Sequence, residues 1–234
     1  MAASRLPSRP EAAALVPAAG RGERLGLGPK GWLRIGGETL LARLLDTLRR
    51  VVGRIYLAVP PHRAADIPVH AGDVVVVSGG DSRQETVRRL LEAGRETWLL
   101  IADAARPFAT AALVERVLDA ARPSGAAVPV MKPSIPGLIP KAGWVRASLA
   151  TGTYGLPQSP QAYRRDVLTF AYARAARGDW RMQTTHELVL RAGARIAAVP
   201  GEEANIKITT LLDWEIARRV IARQGTKADT RHEQ

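Results

Sequence analysis

Residues 13–30 read Ala13-Ala14-Leu15-Val16-Pro17-Ala18-Ala19-Gly20-Arg21-Gly22-Glu23-Arg24-Leu25-Gly26-Leu27-Gly28-Pro29-Lys30. Residues 13–16 form an apolar run long enough for a buried strand, and Pro17 ends it. Ala18, Ala19, Gly20 and Gly22 then leave almost no side-chain bulk, so backbone N–H groups there can close on an anion. Arg21, Arg24 and Lys30 add fixed positive charge to the same surface. A bare cationic loop behind a strand suits a nucleoside triphosphate. The spacing excludes two familiar phosphate loops. No Gly-Lys-Ser/Thr follows, so this is not a Walker A loop, and Gly20, Gly22 and Gly26 give G-x-G-x-x-x-G, one residue longer than the dinucleotide fingerprint. The glycines alone fit an ordinary strand–helix turn. Three cations in the same stretch favour phosphate binding.

Outward from this loop, strand and helix patterns alternate. Leu40, Leu41, Leu44, Leu45 and Leu48 have helical spacing within residues 39–51, after a strand-like piece at 32–35 and a turn at Gly36-Gly37. Residues 54–60, 73–77, 97–102, 126–130 and 196–199 read as strands, and 86–93, 111–121, 165–176, 184–192 and 211–222 as helices. The strands lack polar alternation, as expected for a parallel sheet covered on both faces. The expected fold is therefore α/β: a Rossmann-like, mostly parallel sheet with helices on both faces. Residues 131–156 carry proline, glycine and tryptophan without helical period, and a loop of that length in a compact domain is usually functional. The expected organisation is a loose leader at 1–12, one domain at 13–222 with 131–156 protruding, and a polar tail at 223–234.

The chain has 234 residues and 46% hydrophobic content, enough for a real core, and no apolar run approaches the roughly 20 residues of a membrane span. With no cysteine there is no disulfide or thiolate chemistry, which fits a cytoplasmic location. The net charge of +12 points to an acidic partner. However, arginine doublets such as Arg49-Arg50 and Arg218-Arg219 fall on helix-like segments, where they read as solvated faces. Aromatic residues for base stacking are sparse, so no nucleic-acid partner is expected.

Two loops at strand ends extend the candidate site. Gly80 and Asp81 follow the strand at 73–77, with Arg83 in the same loop and Thr86 one turn on. Gly80 and Asp81 can meet a base or ribose edge and Thr86 can offer a hydroxyl; Asp81 or Ser82 can equally cap the helix. Asp103 sits at the carboxyl end of the strand at 97–102, where ligands bind in open α/β sheets. A carboxylate beside a triphosphate favours a bridging cation, making Asp103 the candidate Mg²⁺ ligand. The alternative is a salt bridge to Arg106. His186 has no second histidine at i+4 and reads as a surface or satisfied histidine.

The motifs Pro17-Ala-Ala-Gly-x-Gly-x-Arg24-Leu and Gly28-Pro29-Lys30 resemble the signature of sugar-nucleotide pyrophosphorylases and cytidylyltransferases. With Gly79-Gly-Asp-Ser-Arg-Gln-Glu-Thr-Val87, Asp103-Ala-Ala-Arg-Pro107, Ser159-Pro-Gln161 and Asn205-Ile-Lys-Ile-Thr209, in that order, the chain resembles the 2-C-methyl-D-erythritol 4-phosphate cytidylyltransferase family from about Ala13 to Val220. The resemblance implies a nucleotide-diphospho-sugar transferase-like fold with an extended β-arm at 131–156 that supports a homodimer. It implies transfer of CMP from CTP to 2-C-methyl-D-erythritol 4-phosphate, with release of pyrophosphate, in isoprenoid precursor biosynthesis. Arg24, Lys30 and Lys207 would be catalytic, and Asp103 would bind Mg²⁺. Ala18, Ala19, Gly20, Gly22, Gly80, Asp81, Arg83, Thr86 and Ala104 would line the nucleotide pocket. Arg106 and Ser159 would face the second substrate.

Against the family pattern, Ala102 replaces a histidine, Met131-Lys132-Pro133 stands where Asp-Thr is usual, and Thr151 takes the place of an arm arginine. Gln183-Thr184-Thr185 lacks the usual acids, and Ala204 replaces an aspartate. The cations on the CTP side are retained. The implied alternatives are a cytidylyltransferase for another polyol phosphate, such as ribitol 5-phosphate, and a non-catalytic nucleotide-binding relative.

Overall fold

The computed structural model describes residues 9–20, 22, 25–67 and 73–229. Its main sheet is built from β1 (Arg9–Pro17), β4 (Val52–Val59), β5 (Val74–Ser78), β6 (Trp98–Ile101), β7 (Ala126–Met131), β10 (Leu156–Pro157), β11 (Gln161–Arg164) and β12 (Ala197–Pro200). The strand order is β10-β7-β11-β6-β1-β4-β5, with β12 also paired to β7. The pairs β1–β4, β1–β6, β4–β5 and β7–β12 are parallel. The expected mostly parallel α/β sheet is thus observed.

β1 shows why the strands lack alternation. Ala12, Ala14 and Val16 enter one hydrophobic cluster; Ala13 and Leu15 enter another on the opposite face. The first cluster holds the apolar faces of α1 (Leu40–Arg49) and α3 (Ala111–Ala121). The second holds those of α2 (Arg83–Ala93), α4 (Arg165–Arg177) and α5 (Thr185–Arg191). A strand buried on both faces has no position for a polar side chain, and each leucine-sized side chain removed from water contributes about 1.5–3 kcal/mol.

Four local expectations are corrected. β1 begins at Arg9, because Arg9 N–H donates to Val51 O (2.7 Å) ahead of the apolar run. The strand-like piece at 32–35 is shorter than expected: after a 3₁₀ turn at Lys30–Trp32, only Arg34–Ile35 (β2) is a strand, paired with β3 (Glu38–Thr39) in a separate two-stranded sheet turned by Gly36 and Gly37 at positive φ. Residues 161–164, outside the strands read from the sequence, form β11, which lies antiparallel between β6 and β7. The last helix, α6 (Leu211–Asp229), runs seven residues past the expected end. Its added residues include the good helix formers Arg223, Gln224, Lys227 and Ala228.

Residues 131–156 contain β8 (Gly137–Lys141) and β9 (Trp144–Leu149), an antiparallel hairpin paired only with itself among the described residues. It exposes Ile135, Leu138, Ile139, Val145 and Trp144, the last 72% accessible. No helix among the described residues is long and apolar enough to cross a membrane.

Candidate active site

The loops after β1, β5 and β6 open at the carboxyl ends of three parallel strands and enclose a cleft of about 890 Å³. Ala18, Ala19, Gly20, Gly22, Lys30, Gly80, Asp81, Arg83, Thr86, Asp103, Ala104 and Lys207 all line it. Segments far apart in sequence are therefore brought together as the motifs implied. Arg24, like Arg21, lies outside the described residues.

The two glycine loops meet because neither carries side-chain bulk. Ala18 N–H donates to Ala58 O (2.8 Å) and Gly79 N–H to Val59 O (3.1 Å), so each loop leaves its strand in the sheet's own register. A Cβ at Gly79 would collide with the Ala19 Cβ. Gly22 has φ +74°, and a Cβ there would run into the Gly28 carbonyl. Gly79→Ala is accordingly expected to push the two walls apart and weaken nucleoside-triphosphate binding about tenfold with the fold retained. Calorimetric titration checks this, and unchanged affinity would show that the close approach is dispensable.

The 79–82 loop is pinned from α2. Ser82 Oγ caps the helix by accepting from Glu85 N–H (3.0 Å), so Ser82 and not Asp81 is the cap. Thr86 Oγ1 accepts from Gly80 N–H (3.0 Å) and donates to Ser82 O (2.8 Å). Its hydroxyl is thus turned to the loop backbone rather than offered to a ligand. Arg89 Nη1 donates to Gly79 O (2.8 Å). Glu85 holds both Arg88 and Arg89, and although burial opposes its charge, the Arg88 hydrogen bond leads in lowering its pKa to about 2.

Asp103 anchors the opposite wall. Oδ1 accepts from Arg83 Nη2 (3.0 Å) and Oδ2 from Lys207 Nζ (2.9 Å). Burial alone would raise its pKa; the two cations hold it far below the usual carboxylate range instead. The alternative partner is corrected: Arg106 does not bridge to Asp103. It is buried, and its guanidinium donates to the carbonyls of Asn205 and Pro157 (3.3 Å for the latter), because that arginine has been folded under the loop that carries Lys207. Burial lowers its pKa, against the pull of Asp103. Ser159 is likewise behind the wall, its Oγ accepting from Asp103 N–H (3.1 Å). Lys30 lines the cleft, and its Nζ donates to Ile208 O (3.0 Å).

The donor set suits one kind of metal site. No group of three or more His, Cys, Asp or Glu side chains that could cage a metal occurs among the described residues. Glu202 does not stand in for the acid missing at Ala204, being held by Thr110 (2.9 Å) and Arg116 (3.2 Å). Asp81 and Asp103 are the acids lining the cleft; Asp103, 16% accessible at its side chain, keeps lone pairs beyond its two ion pairs. One carboxylate with substrate phosphates supplying the rest is an arrangement Mg²⁺ accepts. His186 is satisfied as read, with Gln161 Nε2 and Thr184 Oγ1 each 3.2 Å from a ring nitrogen, and burial lowers its pKa. The sequence reading did not single out Arg89, Gln158 or Asn205 as site supports. Asn205 belongs to the Asn205-Ile-Lys-Ile-Thr209 motif, whereas nothing local marks the other two.

This geometry has a counterpart among known proteins. Residues 12–223 match the family model described as IspD: 2-C-methyl-D-erythritol 4-phosphate cytidylyltransferase. A protein of that name from Deinococcus radiodurans is 38% identical over 212 residues, covering 90% of this chain and 89% of its own. Another from Thermus thermophilus is 39% identical over 207 residues, covering 88% and 95%. The crystal structure of a Thermus thermophilus enzyme of the same name superposes with a TM-score of 0.77 at 35% identity, covering 89% of this chain and 97% of that one. With its fold and most of its length matched, the chain belongs to the 2-C-methyl-D-erythritol 4-phosphate cytidylyltransferase (IspD) family.

Proposed function

We propose that this chain transfers CMP from CTP to 2-C-methyl-D-erythritol 4-phosphate, as the names of its relatives describe for them. The observation that carries the reading is the gathering of Lys30, Arg83, Lys207 and Asp103 around one cleft walled by two bare glycine loops. An oxygen of the acceptor phosphate attacks the α-phosphorus of CTP. The new P–O bond forms as the bond to the bridging α–β oxygen breaks, and pyrophosphate leaves with that electron pair. The nucleophile is already an anion, so no general base is needed, and the protein's part is alignment and neutralisation of charge. The backbone of Ala18, Ala19, Gly20 and Gly22 cradles phosphate, Gly80 and Asp81 meet the nucleoside, and Lys30 and Lys207 stabilise charge on the phosphates. Asp103 would hold Mg²⁺, which when bound supplies further charge neutralisation.

The reading includes a cytoplasmic location, where the nucleotide substrate is made, and a homodimer through 131–156. A lone two-stranded hairpin is marginal in water, and this one carries exposed Trp144, Leu138 and Ile139. A second copy would cover them. Trp144→Asp is therefore expected to shift the protein toward monomer in sedimentation velocity; an unchanged mass would place the interface elsewhere.

The deciding experiment is pyrophosphate release from CTP and Mg²⁺ with 2-C-methyl-D-erythritol 4-phosphate and, separately, ribitol 5-phosphate. Release with the first supports the reading. Release with the second alone would replace the acceptor. Silence with both from a folded, CTP-binding protein would make this a non-catalytic relative.

A further inference from the structure

We infer that Gln158 is a positioning residue that holds Lys207 against Asp103, a role deepening the cytidyl-transfer reading on which it rests. Lys207 lies in residues 201–208, a stretch without helix or strand. Such a segment would ordinarily let a long cation wander, yet its backbone is tied at several points. Gln158, only 6% accessible, spans the turn with both ends of its amide. Its Oε1 accepts from Glu202 N–H (3.0 Å) and Asn205 Nδ2 (3.3 Å). Its Nε2 donates to Glu202 O (2.8 Å) and Asn205 O (3.3 Å). One side chain thus does for this turn what a neighbouring strand does in a sheet.

The room for it is built in. A Cβ at Gly201 would stand 2.7 Å from Gln158 Oε1, so that amide would have to shift from its present position. Gln158 is itself fixed, its N–H donating to Pro129 O (2.8 Å) on β7. The chain of contacts then reaches the cleft. Asn205, fully buried, donates from Nδ2 to Ser159 O (2.8 Å), and Ser159 Oγ accepts from Asp103 N–H. Ile208 N–H donates to Ala105 O (2.9 Å), and Lys30 Nζ to Ile208 O. Gln158 therefore sits behind three groups of the cleft and touches none of the space a ligand would fill. Losing it would leave the part-buried Glu202 N–H without its partner and remove one of two hydrogen bonds at each of Glu202 O and Asn205 O, freeing the segment to shift.

The test is Gln158→Met, which keeps volume and removes the amide, in the full-length protein. Expected is a fall in kcat of about tenfold to thirtyfold with KM for CTP within about threefold, since a displaced cation loses transition-state contact. Hydrogen exchange should quicken at residues 202–208 specifically. In a double-mutant cycle, Gln158→Met should cost little further once Lys207 is already alanine. Additive losses, or unchanged exchange at 202–208, would overturn the inference. Should Gln158→Met fail to fold, Gln158→Asn keeps the amide on a shorter stem that cannot span the turn, and the same outcomes apply. If wild type releases no pyrophosphate, the functional reading falls, while exchange at 202–208 still decides the role of Gln158.

Discussion

Lys207→Ala is expected to lower kcat for pyrophosphate release by on the order of a hundredfold or more, with the fold intact. The ammonium lies 2.9 Å from Asp103 Oδ2 on the cleft wall, with 40% of the side chain accessible. In the absence of substrate it shares that carboxylate with Arg83. On the proposed function, this cation on the cleft wall would stabilise phosphate oxygens whose charge grows as pyrophosphate departs. A preorganised donor in a partly dry site is worth far more than the same charge in water. Stability should move little, about 0–1 kcal/mol, because the pair is solvent-facing on the lysine side. The measurement is steady-state kinetics beside a urea melt. A loss below about threefold in kcat would remove Lys207 from the reaction, and a large stability loss would make its role that of a strut.

Asp103→Asn is expected to be nearly as severe for activity, by on the order of a hundredfold, for a different reason. The substitution keeps shape and removes the charge that orders both Arg83 and Lys207 and would hold Mg²⁺. Weakened Mn²⁺ binding in the presence of CTP, read by paramagnetic resonance, would separate loss of the metal from loss of the cations. The pH dependence of stability has a definite sign. The native pKa of Asp103 is depressed by Arg83 and Lys207 despite burial. Its ionic contribution is therefore complete above the unfolded value of about 3.9 and disappears only as pH falls toward the native one. The stability gap between wild type and Asp103→Asn, on the order of 1 kcal/mol given that Arg83 and Lys207 are each more than a third accessible, should be flat from pH 7 to 5 and close below about pH 4. A gap that already closes between pH 7 and 5 would mean that another group carries it.

Both variants concern residues that ordered motifs in the sequence had brought forward, and the cleft gathers them as those motifs implied. What the motifs could not give was each side chain's partner. Asp103 and Arg106 are three residues apart, and proximity in sequence made them candidates for a pair. The chain instead turns Arg106 inward to the carbonyls of Asn205 and Pro157, and brings Arg83 and Lys207 across from other elements. Thr86 shows the same limit: its place in the loop was legible, but its hydroxyl is used on Gly80 and Ser82.

The sequence by itself determined that β1 is buried on both faces, that bulk-free loops follow β1 and β5, and that Asp103 sits at a strand end. These follow from local composition: apolar runs without alternation, glycine and alanine clustered without side-chain bulk, and a break at Pro17. Tertiary structure alone decided that residues 161–164 enter the sheet antiparallel between β6 and β7, because strand pairing depends on which edges are left unpaired. It alone decided that Gln158 reaches the 202–205 turn, since that contact spans 44 residues or more of chain and has no local signature. Local propensity fixes what a segment can be, whereas the satisfaction of buried polar groups, which is a property of the whole packed chain, fixes whom it meets.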